Sequence, residues 1–166
     1  MLSAIVYVGC PILFVLGAMS DFISYRIPNW ISLGLVGLFA LAVPFSDISA
    51  MTVVWHVVVG IAGLALGMLA FGFNIVGGGD AKLFAAAALW MGPFFVLPYC
   101  LVFALIGGGL AMLILLLRRV PLPVSTIQLP GIRHLLHPKA GMPYGVALGL
   151  GALIILHSSK YLAIWF

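Results

Sequence analysis

The chain has 166 residues, of which 65% are hydrophobic and 6% charged, where an ordinary soluble domain carries about 25% charged residues. Its charges are three carboxylates and seven Lys or Arg, a formal net charge of +4. A soluble globule cannot cover itself with so little polar surface, so a water-soluble enzyme, a nucleic-acid binder and a disordered chain are excluded. The composition is that of an integral membrane protein, and its first partner is the lipid bilayer. Cys10 and Cys100 lie in apolar runs without Cys-x-x-Cys spacing and indicate neither a zinc site nor a disulfide framework.

Uncharged runs cover residues 1–20, 27–46, 48–79, 83–117 and 140–159. A transmembrane helix needs about 20 apolar residues to cross the hydrocarbon core. The run 83–117 holds 35 residues, about 52 Å of helix, which is too long for one crossing. The break Met91-Gly92-Pro93 divides it. The expected fold is therefore all-α, with six transmembrane helices near 2–19, 30–46, 53–73, 81–91, 94–117 and 142–158. Together they make one membrane-embedded domain over 1–166. A loop at about 118–141 is kept irregular by Pro121, Pro123, Pro130 and Pro138. The first segment lacks a charged start and an Ala-x-Ala site, so it reads as a retained helix rather than a cleaved signal. Gly60, Gly63 and Gly67, and again Gly145 with Gly149, read as helix-packing notches.

Alternating crossings put Arg26, Lys82, Arg118, Arg119, Arg133 and Lys139 on one side, six of the seven basic residues, and leave Lys160 on the other. The positive-inside rule then makes the basic loops cytoplasmic and places both termini outside.

Three carboxylates make the search for chemistry short. Asp47, in Pro44-Phe45-Ser46-Asp47, reads as a solvated turn residue. Asp21 falls at the inner end of the first helix and Asp80 at the inner start of the fourth, so both lie at one membrane depth. Acids within membrane helices usually face the bundle interior or water. As a first-turn residue Asp80 is favoured by its helix dipole, whereas Asp21 meets the unfavourable end of its own. Two neighbouring carboxylates share a proton. One can then deprotonate a water while the other hydrogen-bonds a scissile carbonyl, chemistry that calls for no metal and no cofactor. His134 and His137 lack a third ligand, and His56 and His157 read as interfacial helix residues. Gly77-Gly78-Gly79 directly before Asp80 reads as room for the close approach of an extended backbone.

Gly77-x-Gly79-Asp80 matches the GxGD signature of intramembrane aspartyl proteases. Asp21-Phe22-Ile23-Ser24-Tyr25-Arg26-Ile27-Pro28-Asn29 resembles the first-aspartate motif of type IV prepilin peptidases. Asp80-Ala81-Lys82-Leu83 continues that family's pattern, and Pro143-Tyr144-Gly145-Val146-Ala147 resembles the motif that opens its last helix. The resemblance implies that Asp21 and Asp80 are the catalytic dyad of a membrane aspartyl endopeptidase. It implies a prepilin-like precursor as substrate, whose short basic leader is removed at the cytoplasmic face of a bacterial inner membrane. Arg26, Pro28, Asn29, Gly77, Gly79, Lys82, Pro143, Tyr144 and Gly145 are expected near the dyad or the substrate. The insert with paired Cys-x-x-Cys motifs that accompanies N-methylation is missing, so the chain resembles the compact form found with Tad/Flp pili or archaeal preflagellins. Three other readings stay open: a presenilin-like protease cutting inside a membrane span, a proton-coupled transporter using both acids as a relay, and a structural pilus-assembly subunit. A homo-oligomer is left open as well.

Overall fold

The computed structural model describes residues 2–119 and 142–158. The expected loop beyond residue 119, with Arg133, Lys139, His134 and His137, lies outside the described residues, as does Lys160. The described chain forms α1 (Leu2–Ser24), α2 (Asn29–Ala42), a 3-10 turn (Val43–Phe45), α3 (Ala50–Gly72), α4 (Gly78–Leu117) and α5 (Tyr144–Leu156), with no strand among the described residues.

The all-α expectation is met, with five helical segments among the described residues, the fourth of which holds two arms on either side of a kink. The expected helices 81–91 and 94–117 run into one another without a loop. Gly92 alone leaves helical geometry, with φ +60° and ψ −170°, a conformation open to glycine because it has no Cβ. The two arms nevertheless fold back. In a straight helix Phe84 and Phe103 would lie about 28 Å apart at 1.5 Å per residue. Their ring centroids are 5.7 Å apart, and Phe84 also stacks on Tyr99 at 6.1 Å. The break read from Met91-Gly92-Pro93 is thus real, and it divides α4 into two arms that fold back on one another.

Ala50–Gly72 and Gly78–Leu117 are long and apolar enough to cross a membrane, while Val8–Ser24, Asn29–Phe45 and Tyr144–Leu156 are shorter apolar helices. Large side chains such as Ile23, Leu33, Phe73 and Leu97 stand exposed around the bundle, far more apolar surface than a soluble monomer shows. The helix ends follow local chemistry. Ser49 caps α3, its Oγ accepting from the Thr52 N–H at 3.2 Å, which starts the helix three residues before the expected 53. Pro28 is the N-cap of α2, as its fixed φ suits.

Small residues set the packing. A Cβ on Gly67 would lie 3.0 Å from the Ala81 Cα, and one on Gly63 3.0 Å from the Ala88 Cβ, so the notches on α3 take the first arm of α4. Gly149 meets the Phe14 carbonyl and Ala18, and Gly151 meets Phe103, so α5 sits between α1 and the second arm of α4. At the end away from the acids, the Trp90 Nε1–H donates to the Leu35 carbonyl at 2.9 Å and the indole meets Phe39 edge-on.

His56 is a correction to the sequence reading. It is 2% exposed, not interfacial, and its Nδ1 pairs with the Leu89 carbonyl at 2.8 Å. That carbonyl is the one Pro93 deprives of a donor four residues on. The imidazole fills the gap that the break opens.

Candidate active site

Two acids reach one end of the bundle from different helices. Asp21 lies in the last turn of α1, is 4% exposed, and its Oδ2 accepts the Gly145 N–H at 2.7 Å. The Val146 N–H also faces it. Both amides belong to the first turn of α5, so the positive end of that helix offsets the negative end of α1 beneath the carboxylate. The approach is close. A Cβ on Gly145 would stand 2.8 Å from the Asp21 Cβ and 2.7 Å from the Ile27 Cδ1. Gly145 is therefore part of the site, whereas the sequence reading also counted it among packing notches.

Asp80 is half-buried at the third position of α4. One oxygen, Oδ2, accepts the Gly77 N–H at 3.3 Å, the first-turn role that its position predicts. The other, Oδ1, is buried and has no hydrogen-bond partner. A buried oxygen left so is costly. Asp21 and Asp80 are near enough to feel one another's charge, and the Gly145 amide faces Asp80 as well. A cavity of about 240 Å³ opens beside Asp80, with Phe84, Phe103 and Leu148 as apolar wall and Tyr144 at its rim.

The glycines before Asp80 have protein close beside them. A Cβ on Gly79 would lie 3.1 Å from the Ile27 Cβ, and one on Gly77 3.0 Å from the Asp80 Oδ2. They let Ile27 and the carboxylate settle against the start of α4. The other motif residues frame the site without touching the acids. Lys82 Nζ donates to the Asn29 Oδ1 at 2.9 Å, joining α4 to the start of α2, so Asn29 neither caps that helix nor orients Asp21. Arg26 takes part through its carbonyl, which accepts the Ser20 Oγ–H at 2.7 Å, while its side chain is exposed. Pro143 is the buried N-cap of α5. Asp47 stands exposed between α2 and α3, as a turn aspartate should.

Tyr25 is the residue the sequence reading passed over. It ends α1 with φ +53°, a left-handed conformation that strains a bulky side chain by about 1–2 kcal/mol. Burial and then the Asp21 charge push its phenol up, with Arg118 opposing, so the hydroxyl stays protonated beside Asp21. The only hint in the sequence is an aromatic residue inside the polar stretch that follows Asp21. Arg118, at the far end of α4, thus returns to the end of the bundle where α4 began.

Apolar helices with two acids and an unpaired carboxylate oxygen gathered at one end define a helical membrane protein with a built acidic site. The chain belongs to the type IV leader peptidase family, whose sequence model matches residues 7–117. The match takes in α1 to α4 and both acids, and α5 with Gly145 lies beyond it. No curated protein and no solved structure matches the chain. The family makes this a membrane peptidase.

Proposed function

We propose that the chain is an aspartyl endopeptidase that removes the basic leader of prepilin-like precursors, with Asp21 and Asp80 as its dyad. The observation that carries this reading is the unpartnered Asp80 Oδ1 beside the charge of Asp21. With one proton shared between them, the ionised carboxylate takes a proton from water as the water oxygen attacks the scissile carbonyl. The protonated one hydrogen-bonds the carbonyl oxygen as it gains charge. Collapse of the tetrahedral intermediate breaks the C–N bond, and the departing amine takes up the proton drawn from water. The Gly145 amide holds Asp21 in place throughout.

Six crossings, two of them made by the arms of α4, put the acids and Arg26, Lys82 and Arg118 at the cytoplasmic end. Water reaches them there without crossing hydrocarbon. The scissile bond then lies at the inner membrane boundary, with the leader in the cytoplasm and the apolar segment against the Phe84–Phe103 cavity. Mass spectrometry of the products tests this: one cut is expected, immediately before the hydrophobic stretch and after a glycine. Fragments ending deep inside that stretch would support the presenilin-like reading instead.

A further inference from the structure

The first arm of α4 has a second working face. Asp80, Ala81 and Phe84 line the cavity beside the acids, whereas Lys82, Ala85, Ala86 and Leu89 floor a separate groove of about 690 Å³. Its walls are α2 and α3, which stand apart there. Along α2 and into the 3-10 turn after it, the groove runs from Asn29 to Val43, about 21 Å at 1.5 Å per residue, most of a hydrocarbon core.

The groove is apolar along its length except at one end. There Asn29, Ser32 and Lys82 come together. Ser32, one turn along α2 from Asn29, is 7% exposed, and its Oγ is buried without a hydrogen-bond partner. The same end holds the start of α2, whose first-turn N–H groups have no side-chain cap and carry the positive end of the helix dipole. A cation, a hydroxyl donor in want of a partner and a helix N-terminus form a site for an anionic oxygen group. An apolar channel of membrane length continues from it.

We propose that this groove binds one anionic phospholipid, its phosphate at Lys82, Ser32 and the start of α2, and an acyl chain along α2 and α3. The precursor's apolar segment is the competing occupant, and the geometry disfavours it. Lys82 is two residues from Asp80, which places it across the helix, so a segment lying in this groove would deliver its peptide bond to Lys82 and not to the acids. The lipid site therefore stands apart from the cleavage site and does not depend on the proposed reaction.

Native mass spectrometry of the purified full-length protein, exchanged into detergent with added phosphatidylglycerol or uncharged diacylglycerol, tests it. Wild type should retain one phosphatidylglycerol and several-fold less diacylglycerol. Lys82→Gln should lower phosphatidylglycerol retention about fivefold and leave diacylglycerol retention unchanged. Leu33 lines the groove at 69% exposure, so Leu33→Trp should fill the channel and lower retention of both lipids without touching Lys82. Thermal unfolding of each variant separates loss of lipid from loss of fold. Equal retention of the two lipids, or phosphatidylglycerol retention unaffected by Lys82→Gln, would overturn the proposal. So would capture of an added prepilin-like precursor by a photocrosslinker placed at Val57.

Discussion

Asp21 ends a helix where a carboxylate is least welcome, and a second helix aims its first amides at it to offset the cost. That compensation explains why position 145 must be glycine. In Gly145→Ala the added methyl would press on the Asp21 Cβ and Cγ at 2.8 and 2.9 Å. Overpacking of this kind costs about 1–3 kcal/mol, so we expect a lower unfolding temperature and about tenfold less precursor cleavage. Wild-type turnover in Gly145→Ala would show that α5 does not hold Asp21. Both acids were legible in the sequence because carboxylates are so scarce in this chain and their motifs are local. The role of Gly145 was not, since it rests on a contact made 124 residues away in the chain. The same applies to Gly79, whose neighbour Ile27 comes from a different helix connection. A glycine run shows only that space is needed, not what fills it.

At the scale of elements, the sharp bend in α4 is what allows Asp80 and Arg118 to share one end of the bundle. Met91-Gly92-Pro93 revealed its position, because glycine permits the turn and proline ends the hydrogen-bond ladder. The sequence reading divided the run there, and the two arms do fold back on one another, but a break in periodicity could not show that they join without a loop. It also missed His56, although the carbonyl left bare by Pro93 is a signal that a buried donor must be found elsewhere in the bundle. His56→Ala removes that donor and should destabilise the protein by about 1–3 kcal/mol, read as a lower midpoint of thermal unfolding in detergent. Gly92→Ala should be worse, because its Cβ would overlap the His56 ring and φ +60° strains any residue with a side chain. Unfolding midpoints equal to wild type in both variants would mean that the bend needs neither residue.

For the whole molecule, charge distribution supplies the proposed orientation. Arg26 and Asp47 are both exposed, in successive connections flanking α2. With Cys10 and Cys100 replaced, a cysteine at position 47 should react with an impermeant reagent in intact cells, and one at position 26 only after permeabilisation. The reverse pattern would invert the topology and move the acids to the outer face. The chemistry makes a separate prediction at this scale. A two-acid mechanism draws nothing from a bound metal, so a chelator should leave cleavage unchanged. Loss of activity with chelator, restored by zinc, would contradict it.

The claim on which the rest depends is that Asp21 and Asp80 act as one unit on a single water. The most direct measurement compares precursor cleavage by purified wild type, Asp21→Asn, Asp80→Asn and the double variant, with helical content checked for each. Residues that act as a unit are not additive. Either single substitution should bring cleavage to background, and the double variant should be no slower than the singles. Substantial turnover by either single variant would contradict the dyad.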